Sequence, residues 1–194
     1  MKTIYIVLIR ANTLLSKVIH GLTGDSYTHA SISFCDRLYP LYSFGRKSKN
    51  EMFPAGLIIE DLERSFIGET IPCAVYRLQV SDDVYKLAVN EVSIMMKEQD
   101  KFYFNTVGLV LCKLGIPYKR SRHYFCSHFV SEILTRSKAI SNSKPSSLMR
   151  PSDLLELPEA SCIFKGELKH LITAKSSYDQ CISSAVSTVS QAFV

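Results

Sequence analysis

Residues Tyr27 to Phe34 alternate without a break: Ala30, Ile32 and Phe34 fall on one side of an extended segment, and Tyr27, His29, Ser31 and Ser33 on the other. A period of two belongs to a half-buried strand and not to a helix, so the chain must build a sheet with one covered and one polar face here. Upstream, Thr3 to Ile9 is a short run rich in Ile and Val with Tyr5 inside it, which predicts a buried strand. Downstream, Cys35-Asp36-Arg37 can turn the chain into a strand from Leu38 to Phe44, making a hairpin closed before Gly45.

Most other segments have helical spacing. Asn12 or Thr13 can cap a helix carrying Leu14, Leu15, Val18, Ile19 and Leu22, ended by Gly21 and Gly24. Ser81-Asp82-Asp83 caps a helix to about Gln99, with Val84, Leu87, Ala88, Val92 and Met95 on one face. Asn105 caps another from Thr106 to Leu114, stopped by Gly115 and Pro117. Phe125, Phe129, Val130, Ile133 and Leu134 recur at helical spacing, so a further helix starts close to Cys126. Strands are expected at Cys73 to Val80 and near Ser161 to Phe164. Between Arg46 and Pro72 the signals are mixed: a basic stretch, a loop through Pro54 and Gly56, and a short helix from Glu60 to Phe66.

Runs of strands mixed with helices predict an α+β protein. At 194 residues and 46% hydrophobic content the chain is long enough for one core without disulfide staples. One domain over 1–173 is expected, followed by a Ser-rich tail, 174–194, of open structure. The six cysteines are scattered without a CxxC, so a reducing cytoplasm is the expected location. No apolar run reaches the roughly 18 residues of a membrane span, and no signal peptide or anchor is expected. A net charge of +5 is compatible with anionic partners but gives no ground to expect nucleic-acid binding. Phosphate-cradling glycine motifs, H-E-x-x-H, EF-hand loops and G-x-S-x-G elbows are absent from the sequence.

What remains is Tyr124-Phe125-Cys126-Ser127-His128-Phe129-Val130, a cysteine in the first turn of a helix. Free backbone N–H groups and the positive end of the helix dipole stabilise a thiolate there, lowering a thiol pKa below its free value of about 8.5. Lys119, Arg120 and Arg122 just upstream act in the same direction if they are close in space. The alternative is a small packing residue. A nucleophilic cysteine needs a base, and His29, on the polar side of its strand, is the best placed. His128, two positions after Cys126, is about 200° around the helix and faces elsewhere. A rival constellation, His123, Cys126 and His128 with His29 or Cys112, has spacing close enough to hold Zn²⁺.

Together, Tyr27-Thr28-His29-Ala30-Ser31-Ile32-Ser33, the strand through Tyr42-Ser43-Phe44, and the segment around Cys126 resemble the circularly permuted papain-like branch of the NlpC/p60 superfamily, which includes the lecithin:retinol acyltransferase relatives. There the histidine strand precedes the cysteine helix, as it does here. The resemblance covers roughly residues 1–165. It implies a circularly permuted papain-like fold in which an antiparallel sheet packs against the cysteine-bearing helix. It also implies Cys126 as nucleophile, His29 as base, and a cysteine hydrolase (amidase, thiol peptidase or acyl-transfer enzyme) working through an acyl-enzyme without metal or cofactor. Peptide, cell-wall peptide or lipid-amide substrates follow from the same resemblance.

The family's third member is a polar residue, often acidic, on the strand after the histidine; the nearest matching position here is Ser43, with Tyr42 as the alternative. Hairpin register separates the two. A three-residue turn pairs Phe34 with Leu38 and sets His29 opposite Ser43; a two-residue turn sets it opposite Phe44 and near Tyr42. The basic segments Arg46 to Lys49 and Lys119 to Arg122 are either solvated surface charge, the commoner case, or flank one cleft and receive an anionic substrate group. The absence of an acidic orienter favours a rival reading, a binding module on the same fold with weak or no catalysis.

Overall fold

In the computed structural model, residues 1–10, 24–47, 55–62, 70–141 and 144–173 are described. Strands β1 (Lys2–Ile9), β2 (His29–Ser33), β3 (Leu41–Arg46), β4 (Ala55–Glu60) and β5 (Pro72–Val80) come first, followed by helix α1 (Asp82–Lys97). Then come β6 (Tyr103–Phe104), helix α2 (Thr106–Lys113), β7 (His123–Tyr124), helix α3 (Cys126–Arg136) and β8 (Ala160–Glu167). The strands form one sheet in the order β7-β6-β4-β3-β2-β1-β5-β8, antiparallel except for the β6–β7 pair. The fold is therefore mixed α+β, with sheet and helices in separate layers. Among the described residues no helix is long and apolar enough to cross a membrane.

The local signals for α1, α2 and β5 hold. Ser81 caps α1, its side chain accepting from the Val84 N–H, and Asp82 and Asp83 occupy the first turn where the dipole favours them. Asn105 caps α2 by accepting from the Gly108 N–H at 2.8 Å. The expected helix from Asn12 or Thr13, and the tail over 174–194, lie outside the described residues.

The central strands are covered on both sides, β2 included: Ser31 and Ser33 are buried, so the face expected to be open and polar is closed. Ile4, Ile6, Leu8, Ala30, Ile32 and Phe44 point to a core shared with Ala88 and Val92 of α1 and with Phe129, Val130, Ile133 and Leu134 of α3. Val7, Ile9, Leu41, Cys73 and Val75 point the other way, onto Leu168 and Leu171. That explains why β1 reads as a continuous apolar run rather than an alternating one.

Two expectations are corrected. The β2–β3 register pairs Ile32 with Tyr42 and Ser33 with Leu41, so in this register His29 falls opposite Gly45, not Ser43 or Phe44. The connection is wider than a three-residue turn: Leu38 adopts a left-handed conformation with φ of 52°, its N–H bonds the Cys35 carbonyl, and Ser33 Oγ donates to the Pro40 carbonyl. The strand accordingly starts at Leu41, three residues later than expected. The second correction concerns Ala55 to Glu60. Instead of the expected loop, Ala55–Glu60 is a strand paired along its whole length with β3, from Leu41↔Glu60 to Arg46↔Ala55; most of the helix expected from Glu60 to Phe66 lies outside the described residues. Gly56 is required by a close approach, because a Cβ there would sit 2.4 Å from the Phe102 carbonyl oxygen.

Candidate active site

The site is assembled at one end of β2. Its first residue, His29, shares a sheet face with Ser31, with Ser43 of β3 and with Glu60 of β4, as the two registers require. Glu60, the last residue of β4, brings Oε1 to 2.6 Å from His29 Nε2, while Ser31 Oγ donates to its other oxygen at 2.5 Å. Both carboxylate oxygens are thus held. Ser43 Oγ is also near His29 Nε2, at 3.2 Å, but it donates to the Ala30 carbonyl at 2.7 Å. Glu60 therefore has the shorter, charge-assisted contact with the ring, and Ser43 ties β3 to β2 beneath it. Gly45, opposite His29, leaves the room: a Cβ there would approach Ile58 to 3.0 Å and the His29 ring to 3.9 Å.

Cys126 opens α3, and its side chain lies near enough to the His29 imidazole to be among the groups that raise the ring's pKa. The helix is fixed by packing rather than by a cap. Phe125 occupies the N-cap position with no side-chain hydrogen bond, so no capping side chain competes for the N–H groups of the first turn. Phe129, one turn on, packs against Phe44 with centroids 5.2 Å apart, and Tyr124 against Phe44 at 5.4 Å. Ser127 Oγ donates to the Met149 carbonyl at 2.7 Å, pinning the same turn to the chain beyond.

Burial pushes the His29 pKa down, but the Glu60 carboxylate and then the Cys126 sulfur outweigh it, and the pKa is raised well above 6.5. Burial pushes Glu60 up, but His29 and Ser31 more than offset it and leave its pKa below the usual carboxylate value. The imidazole is therefore favoured in its charged form, with the Glu60 carboxylate as the main cause and Cys126 beside it.

Cys126 is only 6% exposed, but it borders a small cleft with Thr28, Leu109, Cys112, Phe125 and Pro151. Ser127, Lys113, Arg150 and Asp25 complete the wall, and Arg150 is paired with Asp25 and Asp153, both at 3.7 Å. The basic segments that would flank the site hold other partners. Lys47 bonds Asp100, Lys119 bonds Glu132 and Arg122 bonds Glu98, at 3.1, 3.1 and 3.0 Å. Arg120 is exposed, and Ser48 and Lys49 lie outside the described residues.

Among the described residues no three His, Cys, Asp or Glu side chains gather as a metal site. His123 Nδ1 lies 2.7 Å from the Ser121 carbonyl oxygen, and His128 is buried between Tyr124 and Phe125. The one site residue missed from sequence is Glu60. Its signal was the apolar run Leu57-Ile58-Ile59, with two β-branched isoleucines, which marks a strand and puts the acid at its end.

The chain matches no family model and no curated protein sequence.

Proposed function

We propose that the protein is a cysteine hydrolase with a permuted papain-like fold, cleaving an amide or ester through an acyl-enzyme on Cys126. The observation that supports this reading is the His29 imidazole, 2.6 Å from Glu60 and held charged between that carboxylate and the neighbouring Cys126. The arrangement joins a nucleophile, a base and an orienting acid from three elements far apart in sequence. Glu60 supplies the carboxylate that the resemblance leads one to expect on a strand after the histidine. The acid lies one strand further on than Ser43.

In this mechanism the Cys126 thiolate attacks the substrate carbonyl carbon, and the oxyanion takes hydrogen bonds from backbone N–H groups of the uncapped first turn of α3. The imidazolium then gives its proton to the departing amine or alkoxide as the carbon–heteroatom bond breaks, leaving a thioester. Neutral His29 takes a proton from water, hydroxide equivalent adds to the thioester, and the carboxylic acid leaves as the thiolate re-forms. Glu60 stays ionised throughout and keeps the ring oriented. The cleft wall is largely apolar on the Leu109 and Phe125 side, which suits the acyl part of a peptide or lipid-amide substrate.

Competitive labelling tests the reading. With iodoacetamide below saturation, Cys126 is expected to alkylate far faster than the accessible Cys35 and Cys162, and the advantage is expected to disappear in His29→Ala. A mass increment on Cys126 during turnover of an ester or peptide library is the second expected result. Equal alkylation rates, or indifference to His29→Ala, would assign the fold to ligand binding instead.

A further inference from the structure

The two oxygens of Glu60 have partners of different kinds. Oε1 lies 2.6 Å from Nε2 of the charged His29 ring, and Oε2 accepts from the neutral Ser31 hydroxyl at 2.5 Å. Ser31 is 1% exposed and the Glu60 side chain 10%. His29 and Ser31 stand two residues apart on one face of β2, and the register sets Ser43 opposite Ser31. Ser43 donates its hydrogen to the Ala30 carbonyl and not to the acid. Among the described residues, His29 and Ser31 are therefore the groups that bond the carboxylate, and both keep it below the usual carboxylate range.

The Ser31 hydroxyl bears on the His29 proton. When the ring gives that proton up, a buried ion pair becomes a neutral ring beside a buried carboxylate, which then depends on neutral donors to offset its desolvation. Ser31 supplies such a bond before and after the release, and the bond counts for more once the positive charge has gone. A carboxylate without it is more basic and holds the shared proton harder, whichever of the two groups carries it. Removing the Ser31 hydroxyl and removing the Glu60 charge thus act on the ring in opposite directions. The titratable groups at the ring are Glu60 of β4 and Cys126 of α3, and neither is altered by a change at Ser31.

We propose that Ser31 is a positioning residue acting through Glu60: its hydroxyl weakens the grip of the carboxylate on the His29 proton, so that the ring can release it. In the hydrolase that proton passes from the imidazolium to the departing amine as the carbon–nitrogen bond breaks, leaving a neutral ring and a thioester on Cys126. This consequence rests on the hydrolase reading; the effect of Ser31 on the ring does not.

A pair of substitutions isolates the hydroxyl. Ser31→Thr keeps it, and Ser31→Val has nearly the same shape without it, so the added methyl group cancels in the comparison. Ser31→Ala, set against the wild type, serves in place of the pair where the buried position rejects the larger side chains, and an unchanged melting temperature confirms an intact fold. In the full chain with ¹⁵N-labelled histidine, the signal lost in His29→Ala reports the pH at which His29 gives up its proton. That pH is expected to be higher in Ser31→Val than in Ser31→Thr, and lower in Glu60→Gln than in the wild type. Turnover of 4-nitroacetanilide, whose leaving amine needs a proton, is expected to be roughly tenfold slower in Ser31→Val than in Ser31→Thr. The burst from 4-nitrophenyl acetate, whose leaving group needs none, is expected to be equal in the two. A titration that moves to lower pH in Ser31→Val, as in Glu60→Gln, would show that the hydroxyl merely holds the acid in place and overturns the proposal. Identical titrations of Ser31→Val and Ser31→Thr overturn it as well. Titrations that separate as expected in a chain that cleaves neither compound support the role of Ser31 and remove the hydrolase reading alone.

Discussion

Replacing Glu60 by glutamine removes one charge from the site at almost constant shape. The carboxylate contacts His29 Nε2 at 2.6 Å, with its side chain 10% exposed and that of His29 15%. A hydrogen bond to a charged group in such a setting contributes about 1.5–3 kcal/mol to the charged form of its partner. Losing it lowers the His29 pKa and weakens the imidazolium beside Cys126 by that free energy, which corresponds to roughly ten- to a hundredfold in its population. Alkylation of Cys126 by iodoacetamide at pH 6 should therefore slow about ten- to a hundredfold in Glu60→Gln. The two proteins should converge at alkaline pH. Ser43→Ala is the control. Its hydroxyl donates to the Ala30 carbonyl and not to the ring, so the expected slowing is less than about fivefold. A Glu60→Gln profile that superimposes on the wild type with the fold intact, or a larger effect from Ser43→Ala, would refute the assignment of Glu60 as the orienting acid.

The same pair predicts how stability depends on pH. His29 has a raised folded pKa, so its contribution is complete below its ordinary 6.5 and is lost as pH climbs through the raised value. Glu60 has a lowered one, so its contribution is complete above 4.5 and is lost as pH falls through the lowered value. The pair is thus fully stabilising between those two ordinary values, and Glu60→Gln should flatten the alkaline limb in thermal melts from pH 6 to 9.

Three further outcomes are expected. Burial pushes the His128 pKa down to about 4, against a smaller upward pull from Glu132, and neither ring nitrogen has a hydrogen-bond partner. The unfolded chain then binds the extra proton first, so stability falls as pH drops from 6.5 to 4, by up to about 3 kcal/mol, and His128→Phe should raise the melting temperature at pH 5 and remove that slope. Phe129→Ala empties a fully buried position against Phe44 and should cost about 3–5 kcal/mol in a urea titration, with loss of Cys126 selectivity as the start of α3 loosens. Gly56→Ala must displace the Phe102 carbonyl and should cost about 1–3 kcal/mol, read as a lower melting temperature.

Elements whose burial is decided locally were legible in the sequence. The alternation around His29, the caps at Ser81 and Asn105 and the period from Phe125 onward each report one face of one element, and the strands and helices form there. The hairpin register was not legible, because it depends on how the chain crosses from Ser33 to Leu41. Leu38 takes a left-handed turn there, a conformation that leucine, unlike glycine or asparagine, gives no reason to expect.

The third site residue was hidden for a related reason. Sequence reasoning looked for the His29 partner on the next strand, where direct cross-strand pairing would place it. The ring instead reaches past β3, at Gly45, to the end of β4. A glycine opposite a histidine in a sheet is itself a signal, since a missing side chain there opens a path to the strand beyond. It predicts that Gly45→Val, which fills that path, should lower the Cys126 alkylation rate at pH 6 toward that of Glu60→Gln while leaving both Cys126 and Glu60 in place. A Gly45→Val protein that labels as fast as the wild type would mean that the His29–Glu60 contact tolerates an intervening side chain, and the glycine would then carry no information about the site.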